Sequence, residues 1–262
     1  MIQGNLKKMR TTHGDEIEYH LHLSEEVRMN DFIGSNLRIA FSGTINCQNC
    51  KKVTKKSFGE GFCYNCFANA PQAAECIIRP ELCRAHLGEG RDPEWEEKHH
   101  NQPHIVYLAA SSAVKVGITR AEQVPTRWMD QGASAAVILA ETPNRYEAGR
   151  IEVAMKELYT DKTHWQKMLK NDIDETIDLL EEKWNLEEQL PGDILDYFSE
   201  DETLWELNYP VLEYPEKVKS LSLDKMPTVQ GILKGIKGQY LLFEGGQVFN
   251  VRKHTGYYVE IS

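Results

Sequence analysis

Two Cys-x-x-Cys pairs constrain the fold of this chain more than any other feature. They are CQNC at residues 47–50 and CYNC at residues 63–66. Each pair lets two thiolates of one tight turn reach the same ion, and the twelve residues between the pairs suffice for a hairpin that brings the turns together. Redox-active or incidental pairs are the alternative. We predict a structural zinc ion in a zinc-ribbon arrangement, bound by Cys47, Cys50, Cys63 and Cys66.

The two remaining cysteines lie in the stretch ECIIRPELCRAHLGEGRDPEWEEKHH, which follows the paired cysteines. Pro80 and Gly88 mark turns that could bring ligands together. The spacing is not that of a standard zinc knuckle, so buried free thiols with surface histidines are the alternative. His99 is an alternative to the last ligand. We predict a second structural zinc site formed by Cys76, Cys83, His86 and His100.

Both predicted zinc sites are structural rather than catalytic, because four protein ligands leave no open position for water. Metal would hold together about 55 residues that lack a large apolar core. The N-terminal residues lack the apolar region of a signal peptide, and no uncharged run approaches the roughly 18 apolar residues of a spanning helix. We therefore expect a cytoplasmic protein without a membrane partner, and clustered cysteines in a reducing compartment indicate metal before disulfides.

The negative charge of the chain belongs mainly to one segment. The net charge of the 262 residues is −10, and residues 167–206 alone carry fourteen acidic residues against three lysines. The charge of the rest is therefore neutral on the question of nucleic acid. We predict one or two helices in this acidic segment, either with a solvated outer face or with a surface for a basic protein partner. Its predicted core-facing residues are Ile173, Ile177, Leu180 and Trp184.

Residues 104–120 (HIVYLAASSAVKVGITR) predict a β-hairpin with a small-residue turn. Residues 122–133 predict a helix, and residues 134–142 a buried strand. A further helix is expected from about Arg145, because apolar residues recur at helical spacing. These are Ile151, Met155, Leu158 and Tyr159. The predicted order is strand, strand, helix, strand, helix.

This order resembles the GIY-YIG nuclease superfamily. Residues 105–107 (IVY) look like its first motif and residues 115–119 (KVGIT) like its second. The resemblance covers about residues 104 to 165, and it implies that Arg127 is the superfamily's helix arginine and Glu152 its metal-binding glutamate. The chain as a whole also resembles a bacterial family, domain of unknown function 2797, a resemblance that implies no particular activity.

The first resemblance implies phosphodiester hydrolysis. Glu152 would hold Mg²⁺ or Mn²⁺, and the ion would neutralise charge on the scissile phosphate. Arg127 would bind the phosphate through its planar guanidinium. Tyr107, with Lys115 where the superfamily commonly has tyrosine, would orient or deprotonate the attacking water. Substrate contacts are expected from Gly117, Thr119 and Arg120.

The same residues also have structural interpretations. A tyrosine on a strand is often a packed side chain, and Arg127 could pair with Asp130 or Glu122. The leading prediction is a zinc-stabilised, divalent-metal-dependent nuclease that acts on DNA or RNA. The alternatives are a non-catalytic zinc-containing nucleic-acid-binding protein and an interaction scaffold that presents the acidic helices.

The chain ends predict short strands. Three lie near the start, at residues 5–10, 16–23 and 36–44, and four near the end, at residues 229–236, 239–243, 247–252 and 257–261. Because neither group would be stable alone, we expect them to join in one small β-barrel or sandwich. The predicted fold is thus α+β. Its segments are residues 1–46 paired with residues 210–262, a zinc-binding segment at 47–102, and a GIY-YIG-like α/β domain with the acidic extension at 103–209.

Overall fold

The computed structural model describes residues 2–156, 159, 165–174, 176–187 and 190–262. The described strands are β1 (Ile2–Asn5), β2 (Arg10–Thr12), β3 (Glu18–His22), β4 (Glu26–Arg28), β5 (Asn36–Asn46), β6 (Val53–Thr54), β7 (His104–Ala110), β8 (Val114–Arg120), β9 (Ala135–Thr142), β10 (Trp205–Glu206), β11 (Lys219–Leu221), β12 (Thr228–Lys237), β13 (Tyr240–Phe243), β14 (Gln247–Asn250) and β15 (Tyr257–Ile261). The described α-helices are α1 (Tyr64–Asn69), α2 (Pro93–His100), α3 (Thr126–Gln131), α4 (Arg145–Met155), α5 (Trp165–Leu169), α6 (Leu179–Glu187) and α7 (Gly192–Leu195).

Short 3₁₀ helices connect many of these elements. They are Met29–Phe32, Pro71–Ala73, Glu75–Ile77, Pro80–Leu82, Ala85–Leu87, Ala121–Gln123, Glu244–Gly246 and Arg252–His254. None of the helices in the described part of the chain is long and apolar enough to cross a membrane.

The chain divides into two compact units. Unit 1 comprises Met1–Ala68, Met129–Gly132 and Leu207–Ser262, and unit 2 comprises Asn69–Trp128 and Ala133–Glu206. The boundary at Ala68 therefore separates the two cysteine groups, which the sequence places in one zinc-binding segment.

Unit 1 contains strands from both chain ends in one eight-stranded sheet. The order is β1-β15-β5-β12-β13-β14-β11, with β6 paired to β5. Long strands form where apolar residues alternate: Leu37 and Ile39 of β5 are buried, as are Val229 and Leu233 of β12. The short strands β2, β3 and β4 form a separate three-stranded sheet.

The mixed α+β character of the prediction is confirmed, but its barrel is not. No closed barrel is found among the described strands, because the path of the large sheet runs from β1 at one edge to β11 at the other. The first predicted strand is also displaced: residues 2–5 and 10–12 are extended, whereas Leu6 and Met9 between them are buried outside any strand.

Unit 2 contains a four-stranded antiparallel sheet in the order β10-β9-β7-β8. The central strand β7 is buried at all seven positions, since it lies between β8 and β9. Val106 and Leu108 of β7 pack in one cluster with Ile151 and Met155 of α4. Helix α4 begins at Arg145 because the side chain of Asn144 accepts a hydrogen bond from the Glu147 N–H, at 3.0 Å.

Helix α6 packs on the same cluster, through Leu179 and Leu186. The buried face of α6 also carries Lys183, which the sequence pattern did not indicate. Its ammonium donates a 2.6 Å hydrogen bond to the Asp201 carbonyl and lies over the rings of Trp184 and Phe198. Leu158 of the predicted α4 face lies outside the described residues, as do residues 175, 188 and 189 of the acidic segment.

Candidate metal centres and phosphate site

Four cysteines of unit 1 converge at the end of β5. Cys47 and Cys50 form the turn after this strand, and Cys63 and Cys66 lie at the start of α1. One sulfur of each lies within 4.8 Å of the others, and the sulfurs of Cys50 and Cys63 are 3.8 Å apart. The connection folds back because β6 pairs with β5 and Phe58 pairs with Phe62.

Backbone donors surround this cluster. Burial raises the pKa of the Cys47 thiol, but hydrogen bonds from the backbone N–H groups of Cys63, Cys50 and Asn49 outweigh burial and lower that pKa to about 6. The side chain of Asn49 donates to the sulfur of Cys66 at 3.4 Å. Donors aimed at sulfur stabilise thiolate, which is the form that binds metal.

This donor set fits zinc. Four thiolates that can converge within one tetrahedron are the ligands of a structural zinc site. With all four positions taken by protein, the site would hold the β5–β6 hairpin and α1 together and would leave no place for substrate.

A second group lies in unit 2, where Cys76, Cys83 and His100 converge. The Nδ1 atom of His100 lies 3.9 Å from the sulfur of Cys76 and 3.7 Å from that of Cys83. All three residues are buried. The hydrogen bond from Cys76, opposed by burial, lowers the pKa of the Cys83 thiol to about 4, and the same contact with burial raises that of Cys76.

The structure places the other two predicted histidines elsewhere. His86 stacks on Tyr146 at 4.6 Å between ring centroids and is not in the three-residue group. His99 stacks on Trp95, and its Nδ1 bonds to the Trp95 carbonyl at 2.6 Å. His100, at the buried end of α2, therefore faces the two thiols, while His99 lies on another side of the helix.

The hairpin places Tyr107 against Gly117. The two residues are opposite each other in the β7–β8 ladder. A Cβ atom at position 117 would lie 2.6 Å from the Tyr107 hydroxyl oxygen, so only glycine admits this ring. Trp128 of α3 packs edge-on against Tyr107 at 5.7 Å between ring centroids. Tyr107 is only 1% exposed.

The other hairpin residues have ordinary strand positions. Lys115 pairs with Ala109 and Thr119 with Ile105, so both lie on the face that carries Tyr107. Thr119 is buried, and the guanidinium of Arg120 forms a 2.8 Å ion pair with Glu122.

Arg127 and Glu152 lie near an arginine that the sequence analysis did not single out. Burial lowers the pKa of Arg145, and the charges of Cys76, Cys83, Glu152 and Arg127 also act on it. The Nε atom of Arg127 is buried without a hydrogen-bond partner among the described residues. The carboxylate of Glu152 lies 3.4 Å from the ammonium of Lys156.

The second cysteine segment positions this arginine. Arg145 donates from Nε to the Cys76 carbonyl and from Nη2 to the Ile77 carbonyl, both at 2.9 Å. One turn later, Gly149 lies directly on the backbone of Pro80 and Glu81. Positions 145, 149 and 152 lie along one side of α4. No sequence signal indicated that this side faces the cysteines, since the contact joins segments about 70 residues apart.

The fold and its side-chain clusters define a mixed α+β protein with a four-cysteine group suited to zinc. The chain belongs to the family described as "Protein of unknown function (DUF2797)", whose profile matches residues 34–259. Neither a curated protein nor a solved structure matches the chain significantly.

Proposed function

We propose that unit 2 binds the phosphodiester backbone of DNA or RNA and hydrolyses it with Mg²⁺ or Mn²⁺ held by Glu152. The observation that carries the proposal is the arrangement of Arg127, Arg145 and Glu152. Two guanidinium groups lie close enough to affect each other's charge, and Glu152 is the carboxylate beside them. The sheet order, with β7 between β8 and β9, supports the same GIY-YIG-like interpretation.

The two arginines have donors suited to an anion. Two like charges repel in a partly buried site, and a phosphate oxygen between them would turn that repulsion into attraction. The Nε of Arg127 is a buried donor in need of an acceptor, since buried polar groups are normally hydrogen-bonded. Arg145 already uses two donors on backbone carbonyls, which fixes its guanidinium plane before any ligand binds.

Glu152 would supply the ion. A single carboxylate suffices for Mg²⁺, which keeps most of its water ligands. The ion would neutralise charge on the scissile phosphate and on the leaving oxygen. In this proposal Tyr107 and Lys115 orient the water, and Gly117 allows the Tyr107 ring to cross the hairpin.

Cleavage assays test the proposed activity. The wild type and Glu152→Gln would be incubated with labelled duplex, branched and single-stranded DNA and RNA, with Mg²⁺ or Mn²⁺. Loss of a metal ligand should lower the cleavage rate on the order of 100-fold or more. Glu181→Gln is the matched control, because Glu181 is an exposed carboxylate of α6. Equal cleavage by wild type and Glu152→Gln would refute the assignment of Glu152.

A non-catalytic nucleic-acid-binding protein is the second candidate, and the burial of Tyr107 favours it, since a base must reach the attacking water. Binding without cleavage would identify this case. In both cases Arg127→Gln should weaken binding and reduce the slope of log affinity against log salt by about 1, because one phosphate contact is lost. Absence of any nucleic-acid binding would leave the acidic helices, as a surface for a protein partner, as the remaining proposal.

A further inference from the structure

Three buried ligands in unit 2 have the spacing of an incomplete zinc tetrahedron. Zinc–sulfur and zinc–nitrogen bonds of ordinary length place tetrahedral S and N ligands about 3.6 Å apart. The distances from His100 Nδ1 to the sulfurs of Cys83 and Cys76 are 3.7 and 3.9 Å. Three ligands leave one corner of the tetrahedron to be identified.

Glu96 lies at that corner. Its Oε2 atom is 3.9 Å from His100 Nδ1, the same ring nitrogen that faces the two thiols. A carboxylate that only oriented the imidazole would bond to the opposite nitrogen, on the side away from the metal. Glu96 therefore lies on the metal side of the ring, one helical turn before His100 on α2.

The surroundings of Glu96 also indicate a cation. Its side chain is 3% exposed, and a buried carboxylate requires compensation. Its other oxygen, Oε1, accepts a 2.8 Å hydrogen bond from the backbone N–H of Arg91, which fixes the carboxylate. Its charge also acts on Cys76. These contacts leave Oε2 directed towards the group of thiols and imidazole.

We propose that Cys76, Cys83, His100 and Glu96 bind a second zinc ion, with Glu96 rather than His86 as the fourth ligand. The site goes beyond the proposed nuclease function and does not depend on it. The ion would fix the segment that carries the Cys76 and Ile77 carbonyls. That segment holds Arg145 and packs against Gly149 of α4. The metal would thus stabilise the position of α4 without touching substrate.

Zinc content of the purified full-length protein tests this proposal. We expect two zinc ions per chain in the wild type and about one in Glu96→Gln after exposure to a competing chelator. The affinity of the second site should fall on the order of 100-fold or more, because even loss of a group that only supports a ligand costs 10- to 100-fold. The ion retained at the four-cysteine site shows that the variant has folded.

Two controls make the result specific. Glu97→Gln removes the adjacent, exposed carboxylate of α2 and should keep both ions. His86→Ala should also keep both ions, and the cobalt-substituted protein should retain its tetrahedral absorption bands. If Glu96→Gln keeps two ions while His86→Ala loses one, His86 is the fourth ligand and the proposal is wrong. A wild type with one ion, lost entirely in Cys47→Ser, would exclude the second site.

Discussion

Substitution of Gly149 by alanine measures how closely α4 packs on the cysteine segment. The new Cβ would lie 2.4 Å from the Glu81 backbone nitrogen and 2.5 Å from the Pro80 carbonyl carbon. In an open helix, alanine would stabilise by about 1 kcal/mol over glycine. Here the contacted atoms are backbone and cannot rotate away, so we take overpacking at the upper end of its usual range, about 3 kcal/mol. The net expectation is a destabilisation of unit 2 by about 2 kcal/mol.

Tryptophan fluorescence during urea unfolding provides the assay. All five tryptophans, at positions 95, 128, 165, 184 and 205, belong to unit 2, so their emission reports on that unit. Gly192→Ala is the matched control, because a Cβ at position 192 of α7 would meet no atom within 4 Å. We expect the control to be neutral or slightly stabilising. A Gly149→Ala protein as stable as the wild type would refute the close contact.

Two further predictions concern protonation and metal. Burial lowers the pKa of His104 to about 4, whereas an unfolded histidine titrates near 6.5, so the unfolded chain binds more protons between these values. The contribution of His104 is therefore fully present above pH 6.5 and decreases as pH falls towards 4, by up to about 3 kcal/mol. His104→Asn should flatten this acid dependence in urea midpoints followed by tryptophan emission; an unchanged pH profile would contradict the burial of neutral imidazole. Cys50→Ser should lower the zinc content by one ion per chain, and full retention in metal analysis would contradict a four-cysteine site.

Local patterns in the sequence predicted the elements that local interactions determine. The hairpin strands, the strand at Ala135–Thr142 and the start of α4 at Arg145 lie close to their predicted positions. The predicted helix at residues 122–133 is shorter, because Pro125 separates a 3₁₀ turn from α3 (Thr126–Gln131). The Cys-x-x-Cys spacing likewise anticipated the convergence of four sulfurs, since each pair is a local turn.

Tertiary contacts determined the rest. Arg145 meets the Cys76 carbonyl across 69 positions, and no periodicity in either segment indicates that contact. Glu96 reads as one charge among several on a polar helix, although it is buried beside His100. Lys183 interrupts the apolar face of α6 and is tolerated because a carbonyl and two aromatic rings surround its ammonium. Such compensations depend on the assembled fold, so composition and spacing do not reveal them.

The most direct test of the proposed function is the single-turnover cleavage rate of labelled nucleic acid as Mg²⁺ or Mn²⁺ is increased, at matched zinc content. The proposal predicts a rate that rises and saturates for the wild type and a rate lower by about 100-fold or more for Glu152→Gln. Binding with no cleavage at any metal concentration would contradict a hydrolytic role for the Arg127, Arg145 and Glu152 arrangement.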